Sequence, residues 1–424
     1  MQYLRTSLVF ILLILSQLLY GQKDLKIRNS KGFSFELQQK TKTGFKVKQK
    51  TGSFKIESKR YKNRRFSEIS TNHLMKTFRK GYPNLPVISK LIEMPIGADI
   101  KVDILSYDIK EVNLKNKGID TKLAPAQPSK SKSDDGEDDK FYFNEKVYNT
   151  NKFFGDELVK VEDRGIMRNI RFGRLQISPL EYNPVENKLR IYTNIEFEVN
   201  FKDDNGSKTK KIYRKYASPY FEEVQSKAVN YESSDTLGGL IDNSPITYVI
   251  VSDRMFENQL QPFIEWKELK GYNVIEAYTD SIGSTTTQIK SYLEDLYNNP
   301  ESTPPSFVLF VGDVEQIPAW KGNTASHVTD FYYCEYTGDN LPDVFYGRFS
   351  AQDSSQLQPQ IDKTLEYEKY EMSEPEYLKE ALLVAGDDET WEDVHGNGGM
   401  WYADNYYFNS DNGINSHLFL QDPP

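Results

Sequence analysis

Three aspartates and the single cysteine are the most reactive prospects in this 424-residue chain. Asp313 closes the run Val311-Gly312-Asp313, at the carboxyl end of a predicted strand. Asp339 and Asp343 flank the short turn Gly338-Asp339-Asn340-Leu341-Pro342-Asp343, where Leu341 can turn its backbone carbonyl inward. Carboxylates with carbonyls suit a hard cation that takes about six to eight oxygens, which is calcium; without a cation, such carboxylates repel one another. The same spacing fits a solvated Asp-rich turn closed by Asx-type hydrogen bonds. Spacing alone leaves both readings open.

Cys334 cannot form an intramolecular disulfide, because it is the only cysteine. A nucleophilic thiolate needs a base beside it. His395, followed by Gly396, is the one tempting partner. Cys334, however, lies in the aromatic run Tyr332, Tyr333 and Tyr336, which reads as packing, so it is expected to be a buried thiol. His327 and His417 read as loop and strand residues, and His73 as structural. An exported protein of this size without disulfides must rely on core burial or on metals, a second reason to look for calcium.

The elements that must position these residues fall into two patterns. After Pro245 the apolar run Ile246–Val251 reads as a buried parallel strand. It is followed by a helix over Gln259–Lys270, a strand over Tyr272–Ala277, an amphipathic helix over Thr286–Asn298 and a strand over Phe307–Val311. A strand at Val344–Tyr346, a helix at Gln356–Tyr370, a strand at Ala381–Val384, a helix near Met400–Phe408 and a strand at Ser416–Leu420 complete the series. This alternation predicts right-handed βαβ units and a parallel sheet with helices on both faces, whose ligands bind beyond the carboxyl ends of the strands. The chain ends just past a strand without a closing helix, and the domain reads as interrupted.

Before position 240 the pattern has period two. Runs such as Phe33–Leu37, Lys101–Leu105 and Ile195–Val199 predict antiparallel β structure. Polar stretches at Ala124–Lys140 and Ala228–Asn243 read as linkers, the second being the main boundary. Residues 1–22 read as a signal peptide: Arg5, an apolar core over Leu8–Leu15, and a cleavage region ending at Gly21. The expected domains are therefore 1–22, a β-rich 23–240 and an α/β 246–424. Net charge of −9 gives no reason to expect a nucleic-acid partner. The stretch Lys23–Lys80 is basic, whereas after Ile246 acidic residues outnumber basic ones roughly three to one. Solvated charged faces account for this, and so does docking of a basic domain onto an acidic one.

The run from Asp313 to Arg348, with Pro342-Asp343-Val344 and Gly347-Arg348, and the helix pattern Ile361/Thr364/Tyr367/Glu368 resemble the gingipain family of cysteine peptidases, peptidase family C25. Upstream, Gly81–Val87 and Pro179–Pro184 resemble the gingipain-type pro-domain. The resemblance implies a caspase-like α/β peptidase domain, incomplete at its C-terminus, behind a pro-domain that docks on and blocks the acidic catalytic face. It implies a Cys nucleophile and a His base, with His first in sequence. Cys334 precedes His395, no Gly-His-Gly follows a strand, and no Cys lies downstream of position 334, so the dyad is expected C-terminal to Pro424. The family's calcium site carries over to Asp313, Asp339 and Asp343 as side-chain ligands, with the carbonyls of Tyr336 and Leu341. In the Arg-specific members a pocket carboxylate sits after the fourth strand; here His395–Trp401 offers no plain match, Asp393 and Asp404 being nearest, so Arg or Lys preference is not implied. The expected activity is secreted endopeptidase, with a type IX secretion sortase-like transpeptidase or a non-catalytic, calcium-stabilised surface or adhesion protein as alternatives. Lys211, Lys215 and Lys227 are candidate processing sites.

Overall fold

The computed structural model describes residues 23–25, 33–41, 43–61, 64–70, 75–77, 79–128, 140–202, 206–232, 245–323, 326–386 and 396–420. The expected signal peptide (1–22), His73, Asp393, His395 and most of both expected linkers lie outside them.

Alternating residues build the N-terminal half as expected. Three antiparallel sheets use period-two strands; the longest pair, Asp99–Asn113 and Lys188–Lys202, runs antiparallel in a five-stranded sheet. One face of Lys188–Lys202 (Leu189, Ile191, Ile195, Phe197, Val199) is buried in two apolar cores, while the residues between point outward. A second sheet pairs Pro86–Met94 with Ile170–Ile177, and the latter with Val159–Met167. The hairpin between these last two strands turns through Arg168 and Asn169.

The C-terminal half is α/β. Strands β1 (Thr247–Ser252), β2 (Asn273–Tyr278), β3 (Phe307–Val311) and β4 (Phe345–Phe349) form one parallel sheet in the order β2-β1-β3-β4. Helices α1 (Glu257–Leu269), α2 (Thr286–Asn298) and α3 (Ser354–Lys369) cover it. Helix α2 starts at a capping box in which Thr285 accepts from the Gln288 N–H, satisfying end groups the helix cannot bond itself. Its Ile289 and Leu293 bury against Val249, Val251 and Phe310 on one face. Leu260, Phe263, Leu357 and Ile361 of α1 and α3 bury against Ile250, Leu309 and Val311 on the other. Helices therefore cover both faces.

One difference concerns the last strands. β5 (Glu380–Val384) and β6 (Asn415–Phe419), joined through helix α4 (Asn397–Tyr406), pair in parallel with each other in a separate two-stranded sheet, not with β4. Sequence alternation places a strand but not the sheet that receives it. Among the described residues no helix is long and apolar enough to cross a membrane.

Candidate functional site

All four strands of the main sheet point the same way, so the sheet has two unlike rims. Register aligns the amino ends: Thr247 sits opposite Asn273, Tyr248 opposite Phe307, and Phe307 opposite Phe345. The carboxyl ends open into Ser252-Asp253, Tyr278-Thr279-Asp280, Gly312-Asp313 and Ser350-Ala351.

At the carboxyl rim β3 stops at Gly312, whose φ is +133°; a Cβ there would lie 2.6 Å from Gln316 Cβ. The Asp313 carboxylate accepts from the Val314 N–H (2.8 Å), the Gln352 amide (3.0 Å) and the Ser350 hydroxyl (3.2 Å). The Gln352 bond, then that of Val314, hold it below the ordinary carboxylate range. Beside it Arg348, on β4, donates two bonds to Asp330 (2.7 and 2.8 Å) and one each to the carbonyls of Gly312 (2.8 Å) and Ile317 (3.0 Å). Only 14% of the Arg348 side chain is exposed, so this ion pair stitches the 312–317 turn to the 330 turn largely away from water.

Asp339 and Asp343 stand at the opposite rim. Asp343 immediately precedes Val344 and β4, at the amino end of the sheet. The length of the strand, at about 3.3 Å per residue, separates this level from Asp313 by more than about 13 Å. Asp343 is fully buried; its carboxylate accepts from the Tyr336 N–H (2.7 Å) and the Arg168 N–H (3.0 Å). Burial raises its pKa to about 6, the two backbone bonds opposing and Asp339 and Glu335 adding to the rise. Asp339 accepts from the Ile166 N–H (2.5 Å), the Leu341 N–H (2.9 Å) and the Thr337 hydroxyl (2.9 Å).

Of the five expected calcium donors, the fold brings together Tyr336, Asp339, Leu341 and Asp343 in one loop, and leaves Asp313 at the far rim. The five do not fit a single ion in this arrangement. All three carboxylates accept from N–H donors, and among the described residues no group of three or more His, Cys, Asp or Glu side chains is gathered as a metal needs.

Cys334 is completely buried with Phe310, Tyr333 and Val344 in one core, and burial pushes its thiol well above the usual value. It packs; it is not poised as a nucleophile. His327 lies in a loop and His417 on β6, where it meets Glu380 at 2.5 Å. Asp404 lies on α4 and accepts from the Ser416 hydroxyl.

The residue that sequence reasoning missed is Arg168. It takes a left-handed φ of 60°, which glycine favours, at the first position of a two-residue hairpin turn. Its guanidinium crosses into the C-terminal half, donating to the carbonyls of Pro305 (2.6 Å), Pro304 (3.1 Å) and Asp343 (3.2 Å) and to the Ser306 hydroxyl (3.1 Å). It is 2% exposed. The available signal was a hairpin turn carrying Arg where Gly or Asn is usual, three residues after Gly165.

An antiparallel β half is thus seated on an α/β half with a parallel sheet. The description Propeptide_C25 matches residues 33–234 and that of peptidase family C25 matches residues 241–419; the chain belongs to this family. Lys-gingipain of Porphyromonas gingivalis is 37% identical over 352 residues, covering 82% of this chain and 20% of that protein. Gingipain R2 of the same organism is 28% identical over 310 residues, 72% of this chain and 41% of that protein. The chain thus spans a fifth to two fifths of these relatives' lengths. A solved structure titled for the zymogenic latency of gingipain K aligns with 43% of this chain and 99% of its own, at 31% identity and a TM-score of 0.41.

Proposed function

We propose that this chain is the front part of an exported cysteine endopeptidase precursor, in which residues 23–240 are a pro-domain and 246–424 begin the peptidase domain. The observation that carries the reading is the tandem match of a C25 pro-domain and a C25 peptidase domain along one chain. The family description, a peptidase, supports peptide-bond hydrolysis; substrate preference does not come over from the relatives, because His395–Trp401 offers no plain match to a basic-residue pocket.

The nucleophile is a Cys thiolate activated by a His, both supplied by residues beyond Pro424, with backbone N–H groups stabilising the oxyanion. Cys334 is excluded by its burial. The role of the described residues is positional. Arg348 and Asp330 fix the turn after β3 at the rim where functional groups of parallel sheets collect. Signal-directed export belongs to the same proposal, on the strength of residues 1–22.

The test is to express the reading frame through the sequence that follows Pro424, remove residues 1–240 by processing, and assay a peptide library with and without a thiol alkylator. Hydrolysis abolished by alkylation, and by substitution of a Cys that follows a His, supports the reading. Hydrolysis that survives alkylation, or a reading frame without that His-then-Cys order, overturns it. Product joined to an added amine nucleophile instead of water would favour the transpeptidase.

A further inference from the structure

We infer that the pro-domain is anchored at the amino rim of the parallel sheet, away from the rim where catalysis is expected, and that the Arg168 turn is its anchor. The contact works as a clamp on the 335–343 loop and as the site that keeps the pro-domain attached.

The hydrogen bonds and ring contacts that join described residues of the two halves fall on one level of the sheet. Tyr220 packs edge-on against Phe307, stacks on Tyr272 and shares a hydroxyl–hydroxyl bond of 2.5 Å with it. Phe221 lies 4.3 Å from Phe345, centroid to centroid. Phe307 and Phe345 open their strands, and Tyr272 directly precedes Asn273. Tyr216 stacks on Tyr297 at the last turn of α2, and Lys215 donates to the Asn298 carbonyl (2.7 Å). Ser218 and Ser306 share a 3.0 Å hydroxyl bond. Leu341 packs into the pro-domain cluster of Ile170, Phe172 and Tyr213.

Arg168 is the centre of this surface. A guanidinium is a rigid planar fork with several donors, and here one fork meets three carbonyls and a hydroxyl in a site closed to water. Removing it leaves the carbonyls of Pro304 and Pro305 buried and unpaired, with Ser306 keeping its bond to Ser218, which costs more than the bonds themselves contribute. The main chain of the same turn donates to Asp339 and Asp343, and Thr337 donates back to the Ile166 carbonyl (3.2 Å). Gly165 at φ +107° allows this approach: a Cβ would stand 2.5 Å from the Asp339 Cγ. The unfavourable φ at Arg168 is held by these contacts. A pro-domain seated here keeps peptide from the carboxyl rim only by way of some other segment, so attachment and blockage are separable functions.

The experiment is calorimetry of the intact chain as wild type, Arg168→Ala, Arg168→Lys and Arg174→Ala. Arg174 lies in the same pro-domain sheet and bonds Glu162, not the other half. Wild type and R174A are expected to melt in one transition. R168A is expected to split it into two, separated by at least about 5 °C, with R168K in between. Should R168A not accumulate as folded protein, Gly165→Ala keeps the guanidinium and displaces the turn, and is expected to split the transition likewise. A single transition in R168A, or in G165A where that variant is used, overturns the inference. The melting test is indifferent to whether the longer protein hydrolyses peptides, so this inference and the peptidase reading fail separately.

Discussion

The amino and carboxyl rims of the parallel sheet have been given opposite tasks. The amino rim is lined by Tyr248, Tyr272, Phe307 and Phe345, and it is covered by Arg168, Tyr220 and Phe221 from the pro-domain. The carboxyl rim carries Asp253 and Asp313 in turns and Asp280 on the short helix Thr279–Ile282, with the Arg254–Asp280 and Arg348–Asp330 pairs beside them. One rim is built to be packed against and the other to be reached. In a parallel sheet this division has a simple origin: helix-to-strand turns collect at one edge and strand-to-helix turns, where ligands bind, at the other. A pro-domain on the first edge can stabilise the sheet without consuming the second.

Substitutions can separate the two rims experimentally. The centre common to both rims should matter most. Phe310→Ala, at a position with no exposure between the two helical layers, is expected to cost about 3–5 kcal/mol in denaturant unfolding and to weaken both rims together. Arg348→Ala acts on the carboxyl rim: it strands the partly buried Asp330, whose side chain is 16% exposed, and is expected to cost about 2 kcal/mol while leaving pro-domain attachment intact in the calorimetric assay.

A third change concerns the pro-domain alone. Burial lifts the Glu93 carboxyl to about 7, Lys40 opposing and Glu232 adding. Because the folded value exceeds the unfolded one, the contribution of Glu93 to stability is full below about pH 4.5 and is lost as pH climbs through 7. Glu93→Gln should flatten that slope by about 1–2 kcal/mol between pH 5 and pH 8, a partial shift since the side chain is not wholly enclosed. An unchanged slope would place the titrating group elsewhere. The smallest expected effect is that of chelation. With Asp339 and Asp343 bonded to Ile166 and Arg168, adding calcium or chelator to the intact chain should move its melting by no more than about 1 °C; a larger rise with calcium would show a cation competing for that loop.

Much of this architecture was legible in the sequence, and for physical reasons. The switch from period two to period 3.6 at Pro245 separates the halves, and every strand and helix expected after it is present within a few residues. Continuous apolar runs such as Val308–Val311 can only be buried on both sides, which specifies a parallel sheet. What the sequence did not show was long-range partnership. Nothing local says that β5 and β6 pair apart from β4. Asp313 and Asp343 look like neighbours along a 30-residue stretch, yet a strand running from one rim to the other keeps them apart. Arg168 was overlooked because, within a basic half, one more arginine reads as a solvated charge; its role depends on three carbonyls more than 130 residues away. The turn that presents it was the better clue, an arginine at a φ that side chains avoid.

Hydrogen exchange on the intact chain reads both rims in one experiment. Slow exchange is expected at the amides of Ile166, Arg168, Tyr336 and Asp343, and fast exchange at the exposed Arg254 and Asp280 that follow β1 and β2. In Arg168→Ala, protection should fall at 335–343 and stay unchanged at the carboxyl rim. Protection that concentrates at the carboxyl rim instead, with the 335–343 loop exchanging freely in the wild type, would contradict this division between the rims.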